Sequence, residues 1–345
     1  MVSPNALQEL SLFWSGARKK PPIRYTTDLL RLPQHIVSKY VPMSMDNGTE
    51  IWLKSSSNVS VTKILLADLL CSVCSRTTAN GIVGRGGMFV LSTQQAMRLL
   101  LGNKSSNNNN NNNKQNDEYI NNNHNSTTDN PNQNNNHQPL FDSLLDIGAG
   151  DGGVTARLQP LFRHVCVTEC SSPMRWRLWW RGYELLPENN PFQHPDGTRR
   201  YYDVISCLNV LDRADKPLGL LQAMRDALKP NGILLLAVVL PWCPFVEYKN
   251  EQRPPSEKLP MEGGECCRGA SFEDSLQRLV DNVLIPNGFE LERWSRVPYL
   301  CEGNLRVEYA VLSDAVLVLK RNEEDRGRGG GVSLATLGKE NGGTE

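Results

Sequence analysis

Four runs of apolar residues in the second half of the chain have the length and composition of buried strands. They span residues 144–147, 165–169, 202–209 and 233–240. Apolar runs with almost no polar alternation are typical of parallel sheets covered by helices on both faces. Segments with helical spacing of apolar residues separate them, at 154–161, 174–181 and 218–228. This alternation predicts an α/β fold with a mostly parallel sheet of about seven strands.

The flanking segments follow less regular patterns. Helices are predicted at 27–40, 61–74, 93–101 and 272–284, and strands at 289–296 and 315–319. Residues 1–60 form an N-terminal extension that resembles no recognisable domain. The glycine-rich segment 81–90 lacks the Lys-Ser/Thr pair of a phosphate-binding P-loop, so on pattern alone it is a flexible connection.

Residues 103–138 consist almost entirely of Asn, Gln, Ser, Thr, Asp and His, including seven consecutive asparagines at 107–113. Such a segment cannot bury enough apolar surface to offset the entropy lost on ordering. We therefore predict a disordered surface insertion here and a disordered Gly-rich tail at 322–345. The folded domain then comprises residues 61–102 and 139–321.

Composition excludes several classes of protein. The 345 residues are 39% hydrophobic, with 37 basic and 37 acidic residues, so no overall field favours nucleic acid or an anionic membrane. No apolar stretch reaches the length of a membrane span, and residues 1–16 lack the pattern of a secretory signal. We expect a cytoplasmic monomer with no nucleic-acid partner and no membrane span.

Nine cysteines are scattered along the chain, apart from Cys71-x-x-Cys74 and the pair Cys266-Cys267. This usage indicates reduced thiols in a reducing compartment. No His/Cys pair follows Cys71 and Cys74 at zinc-finger spacing, so we expect them to pack as small hydrophobic side chains on a helix. The sequence therefore predicts no metal site.

The glycine loop at 148–153 carries the chemistry. Gly148, Gly150 and Gly153 satisfy the G-x-G-x-x-G pattern, which in a strand-turn-helix unit can hold a pyrophosphate. Asp146 and Asp151 favour another ligand, because two carboxylates repel a pyrophosphate but suit a cofactor with an amino group and a sulfonium. S-adenosylmethionine is such a cofactor, and an NAD enzyme is the more distant alternative.

Two further polar residues follow predicted strands. Glu169 lies 21 residues beyond Gly148, where an acid can bind both ribose hydroxyls of an adenosine. Asn209 ends the next strand, at the edge where open α/β sheets bind ligands. In the helix at 174–181 we interpret the three tryptophans as packing residues.

Five motifs together resemble the DREV-type methyltransferases, the family of methyltransferase-like protein nine. They are residues 84–90 (GRGGMFV), 145–152 (LDIGAGDG), 203–213 (DVISCLNVLDR), 240–247 (LPWCPFVE) and 298–303 (PYLCEG). The resemblance extends from about residue 77 to 320, interrupted by the Asn-rich insertion. It implies a Rossmann-like class I methyltransferase that uses S-adenosylmethionine to methylate the pros nitrogen of histidine in His-x-His motifs of proteins.

The resemblance also assigns residues. It implies that six residues bind the cofactor, namely Asp146, Gly148, Gly150, Glu169, Asn209 and Tyr299. Asp212 is the residue that we expect to contact the substrate imidazole, although an acid at this place could simply cap the next helix. The chain departs from the family pattern at Cys243, where we expect His, and at Ala310, where we expect Tyr. The family is also compatible with the endoplasmic reticulum or the mitochondrion.

Other functions stay open on the sequence alone. The same fold could methylate a small molecule or another protein side chain, or bind the cofactor without turnover as a scaffold. The Asp-Pro-Pro-Tyr motif of amine-methylating enzymes is absent, since residues 209–212 read Asn-Val-Leu-Asp. The glycines and Glu169, whose loss would indicate a scaffold, are present.

Overall fold

The structure is a computed structural model that describes residues 18–56, 60–102, 138–248, 251–261 and 269–322. Apart from Gln138 and Asn322, the predicted disordered insertion and tail lie outside the described residues. Cys266 and Cys267 also lie outside them.

One eight-stranded sheet organises the described part of the chain. Its strands, from one edge to the other, are β1 (Met88–Phe89), β9 (Phe289–Glu302), β10 (Tyr309–Arg321), β6 (Leu228–Val239), β5 (Tyr202–Leu208), β2 (Phe141–Ile147), β3 (Phe162–Val167) and β4 (Glu184–Leu185). The five strands from β6 to β4 pair in parallel, whereas β10 runs antiparallel between β9 and β6. The predicted mostly parallel Rossmann-like fold is confirmed. The sheet has eight strands rather than seven because β1 adds to the edge of β9, with Met88 opposite Cys301.

Helices cover the sheet and flank its edges. They are α1 (Gln34–Val37), α2 (Asn47–Ser56), α3 (Val61–Leu70), α4 (Arg76–Val83), α5 (Thr93–Leu101), α6 (Thr155–Leu158), α7 (Ser172–Trp180), α8 (Pro217–Asp226) and α9 (Phe272–Arg278). A π-helical segment, Leu279–Leu284, extends α9 over the predicted range. A separate hairpin pairs β7 (Val246–Tyr248) with β8 (Glu251–Arg253). Helix α5 has the predicted bounds, and Ser92 and Gln95 form a capping box at its start.

Three local predictions were wrong. The helix expected at 27–40 is a 3-10 turn at Leu29–Arg31 followed by α1, because Pro33 interrupts the helix and disfavours helical geometry in the residue before it. The strand expected at 233–240 begins instead at Leu228, because residues 229–232 form a bulge inside β6, where Asn231 adopts a left-handed φ of 64°. The tryptophans of α7 do not pack in the core, since Trp176, Trp179 and Trp180 are all exposed.

Alternate residues of the central strands enter two apolar cores, one on each face of the sheet. In β6, Leu234 and Leu236 face one core while Ile233 and Leu235 face the other. This explains why the central strands read as unbroken apolar runs. The N-terminal residues join both cores, through Leu32 and Ile36 on one face and Met43 on the other.

Candidate active site

The loop after β2 bends through three glycines in the left-handed region, the third being Gly152 with a φ of 78°. Gly148 has a φ of 68° and Gly150 a φ of 59°, conformations that side chains with a Cβ rarely adopt. A Cβ on Gly148 would lie 2.5 Å from Cγ2 of Val210, and one on Gly150 would lie 3.3 Å from Cε of Met88. The predicted glycine positions therefore form a narrow loop between the end of β5 and the β1 edge.

Asp146 lies below this loop and fixes it to the sheet. Its Oδ2 accepts a 2.6 Å hydrogen bond from the Thr155 hydroxyl, and its Oδ1 accepts one of 2.6 Å from the Ser206 hydroxyl. Burial raises the pKa of this carboxyl to about 6, against the lowering effect of the two hydroxyls. Asp146 thus joins β2, β5 and the start of α6, and its predicted contact with a cofactor stays a prediction.

The raised pKa of Asp146 predicts that the stability of the protein depends on pH. The folded protein keeps the Asp146 carboxyl protonated up to about pH 6, whereas the unfolded chain releases this proton near pH 3.8. Because the folded state binds the proton more tightly, the free energy of unfolding falls as the pH rises from about 3.8 through 6. The variant Asp146→Asn has no such group. We expect the unfolding free energy of the wild type to fall relative to the variant by about 1–2 kcal/mol between pH 5 and pH 7.5. Urea titrations of both proteins measure this, and parallel pH profiles would contradict the assignment.

Glu169 ties the glycine loop to the segment that follows β3. Its Oε2 accepts a hydrogen bond of 2.9 Å from the Gly150 amide, and its Oε1 accepts one of 2.8 Å from the Ser171 amide. The side chain is buried. Oε1 also accepts from the Cys170 thiol at 3.5 Å, which leaves Oε2 able to accept a second hydrogen bond from the ribose hydroxyls predicted to bind Glu169.

A second polar cluster lies beside the loop and contains Asn209, Asp212, Tyr299 and Asp314. Asn209 has a left-handed φ of 60°, and its Nδ2 donates a 2.7 Å hydrogen bond to Oδ2 of Asp314. Three buried oxygens have no hydrogen-bond partner among the described residues, namely Oδ1 of Asn209, Oδ1 of Asp212 and Oδ1 of Asp314. Buried acceptors without partners are costly, so this cluster is built to receive donors or a cation from a ligand.

Asp212 is held in a fixed orientation by its neighbours. It lies in a 3-10 turn, Leu211–Arg213, and its Oδ2 is 2.9 Å from Nη1 of Arg213. The Arg213 guanidinium lies 3.7 Å from the centre of the Phe245 ring, and the Phe245 amide donates to the Asp212 carbonyl at 3.0 Å. Burial raises the pKa of Asp212, and Arg213 opposes this shift. One carboxylate oxygen is thus paired and the other is left for a ligand.

Asp314 and Met88 are site residues that the sequence analysis missed. Asp314 is fully buried in β10, and burial holds its pKa well above the usual range. Met88 accepts a hydrogen bond from the Tyr299 hydroxyl at its sulfur. The signals were an acid directly before the apolar run at 315–319 and the methionine of the GRGGMFV motif. Neither signal identifies a partner, because Asp314 reaches the site only through the pairing of β10 with β6, and Met88 only through the pairing of β1 with β9.

The structure also places the two positions where the chain departs from the family pattern. Cys243 is exposed after β6, and Ala310 lies in β10 opposite Cys301. Cys71 and Cys74 are partly buried in a turn after α3 rather than on the helix. In the ranges that the structure describes, no three His, Cys, Asp or Glu residues are grouped to hold a metal ion, and no helix is long and apolar enough to cross a membrane.

The arrangement fits S-adenosylmethionine in two respects. The glycine loop has no Cβ at Gly148 and Gly150, where it passes close to Val210 and Met88, and Glu169 lies beside it. The unpartnered oxygens of Asn209 and Asp314 suit a ligand with an ammonium and a sulfonium group, since both centres are positively charged. Glu169, Asn209 and Asp314 would hold the cofactor, while the buried Oδ1 of Asp212 is left for another donor.

Comparisons with known proteins match this chain to a sequence family and to solved structures. The sequence model of the family described as DREV methyltransferase matches residues 25–120 and 124–321. One similar solved structure is an S-adenosylmethionine-dependent methyltransferase from Clostridium acetobutylicum ATCC 824, with 16% identity over 53% of this chain and 85% of that chain and a TM-score of 0.33. Another is the N-methyltransferase NodS from Bradyrhizobium japonicum WM9 in complex with S-adenosyl-L-homocysteine, with 17% identity over 51% of this chain and 78% of that chain and a TM-score of 0.31.

The family match covers most of the chain, including the strands and loops that carry the glycine loop and the polar cluster. It also includes residues 25–43, where Leu32, Ile36 and Met43 pack into the same cores as the sheet. The chain belongs to the DREV methyltransferase family, and it is a methyltransferase that uses S-adenosylmethionine as its cofactor.

Proposed function

We propose that this protein methylates the pros nitrogen of histidine in His-x-His motifs of protein substrates. The observation that carries the proposal is the buried Oδ1 of Asp212, which has no partner while Oδ2 is paired with Arg213. A neutral imidazole has one N–H donor and one lone pair. If its tele N–H donates to Oδ1 of Asp212, the pros lone pair is free to attack a methyl group. The motif resemblance supports histidine over other nucleophiles.

The protein's task in this reaction is positioning and charge stabilisation. S-adenosylmethionine, when bound, supplies an activated methyl group on a sulfonium that leaves as a neutral thioether. Asp212 would hold one imidazole tautomer and stabilise the cation formed as the ring is methylated. Asn209, fixed by Asp314, would orient the cofactor's charged end from the side of β10. Glu169 and the glycine loop would bind its adenosine.

The proposal is tested with labelled S-adenosylmethionine and synthetic peptides. We expect label in a peptide with a His-x-His motif and none in the same peptide with both histidines replaced by alanine. Peptides with lysine, arginine or glutamine in place of histidine should also remain unlabelled. Transfer only to a small-molecule extract would favour a metabolite methyltransferase, and cofactor binding without transfer to any acceptor would favour a scaffold. Either result would overturn the proposal.

A further inference from the structure

Helix α7 presents three tryptophans to solvent on one face. Trp176, Trp179 and Trp180 are 62%, 63% and 74% exposed, respectively. Their spacing of three and four residues places them together on the helix, and their rings lie 5.9 Å (Trp176 to Trp180) and 6.4 Å (Trp179 to Trp180) apart. The opposite face of α7 is packed by Met174 and Leu178. Exposed aromatic clusters of this size mark interaction surfaces.

The neighbouring helices also expose aliphatic side chains. Helix α4 packs against both α7 and α3, and Gly81 of α4 lies against Pro173 and Met174 of α7. Five aliphatic residues of this layer are exposed, namely Leu65, Leu66, Leu69, Val73 and Ile82. We call the three helices and these eight exposed side chains the helical layer.

The helical layer is also locally basic, although the whole chain is neutral. Residues 60–87 and 172–183 contain one acid, Asp68, and six basic residues: Lys63, Arg76, Arg85, Arg175, Arg177 and Arg181. Two acids from elsewhere pair with them, since Asp151 contacts Arg177 and Arg181 and Glu302 contacts Arg85. Glu247 and Glu251 line a pocket with Arg76, so the excess of positive charge lies at α7, where Asp151 pairs with two of the three arginines.

We propose that the helical layer binds the surface of a membrane that contains anionic lipids. Tryptophan rings lie at the level of lipid headgroups, aliphatic side chains enter the acyl boundary, and basic residues attract anionic headgroups. Single-stranded RNA also stacks on tryptophan, but its binding depends on aromatic and basic residues and does not account for five exposed aliphatic side chains. A protein partner explains the apolar area but not the local excess of positive charge. This contact lies on the surface and needs no spanning helix.

Sedimentation of the full-length chain with vesicles tests the proposal. We expect at least roughly tenfold stronger binding to phosphatidylcholine vesicles with about one third phosphatidylserine than to phosphatidylcholine alone, since each basic residue near an anionic surface contributes about fivefold. Raised salt should weaken the binding. The variant Trp176→Ala/Trp179→Ala/Trp180→Ala should lose it, and quenching of tryptophan fluorescence by brominated lipids should disappear with it.

A matched control changes three exposed apolar residues outside the helical layer. Leu30→Ala/Tyr201→Ala/Leu312→Ala should bind vesicles as the wild type does. Both triple variants should bind S-adenosylhomocysteine normally, which shows that they are folded. The proposal is overturned if wild-type protein stays in the supernatant with anionic vesicles, or if the tryptophan variant still sediments. It is also overturned if the tryptophans instead mediate a dimer or RNA binding, seen by light scattering or by titration with single-stranded RNA.

Discussion

Gly148→Arg is expected to abolish binding of S-adenosylhomocysteine. The position has a φ of 68°, and even a Cβ would lie 2.5 Å from Cγ2 of Val210, so no side chain fits without moving the end of β5. An arginine would also place a long cationic group in the space where the cofactor's positive charge is expected. Calorimetry should detect no binding to the variant at concentrations that saturate the wild type. Affinity within threefold of the wild type would contradict this placement of the cofactor.

Two comparisons separate lost binding from lost folding. Gly219→Ala is the matched glycine control, because a Cβ there has only Cβ of Lys216 within 4 Å, at 3.9 Å. It should bind normally and gain about 1 kcal/mol of stability, as helical Gly-to-Ala changes commonly do. Gly148→Ala should lose about 1–3 kcal/mol through the left-handed backbone and the contact with Val210. Adding Val210→Ala should restore part of this loss, since the closest atoms of Val210 are then removed.

The central strands could be predicted from the sequence because their burial is recorded in the composition of each strand by itself. Residues buried on both faces of a parallel sheet must be apolar throughout, so β2, β5 and β6 appear as apolar runs. The glycine loop is predictable for a similar reason, because left-handed backbone at Gly148 and Gly150 demands residues without a Cβ. Glu169 and Asn209 follow from the rule that ligands bind at the carboxyl ends of such strands.

The rest of the site depends on contacts between distant parts of the chain. Asp314 lies 105 residues from Asn209 in sequence, and only the antiparallel insertion of β10 beside β6 brings their side chains together. Met88 reaches Tyr299 because β1 pairs with β9. Composition also misled us about α7, since tryptophan is usually buried and a helical repeat does not show which face meets solvent.

Asp212→Asn is expected to lower the rate of methyl transfer roughly a hundred- to thousandfold, the usual effect of removing one preorganised electrostatic group. The amide can still form a hydrogen bond, but it cannot stabilise the imidazolium that forms on transfer. Binding of S-adenosylhomocysteine should be retained, because the glycine loop and Glu169 are unchanged. Asp215→Asn is the control: it changes an exposed carboxylate three residues away, hydrogen-bonded to Ser256, and should leave the rate within about twofold.

The pH profile gives a second readout of the same role for Asp212. Burial raises the pKa of its carboxyl, and only the ionised form can stabilise the methylated cation. The peptide imidazole must be neutral to attack, and its pKa is about 6.5. Wild-type activity should therefore rise with pH through both ionisations, whereas Asp212→Asn should keep only the dependence on the imidazole.

Amino-acid analysis with mass spectrometry should find the methyl group on the pros nitrogen. Product on the tele nitrogen, or an Asp212→Asn protein with undiminished turnover, would remove this role for Asp212 while leaving the family assignment intact.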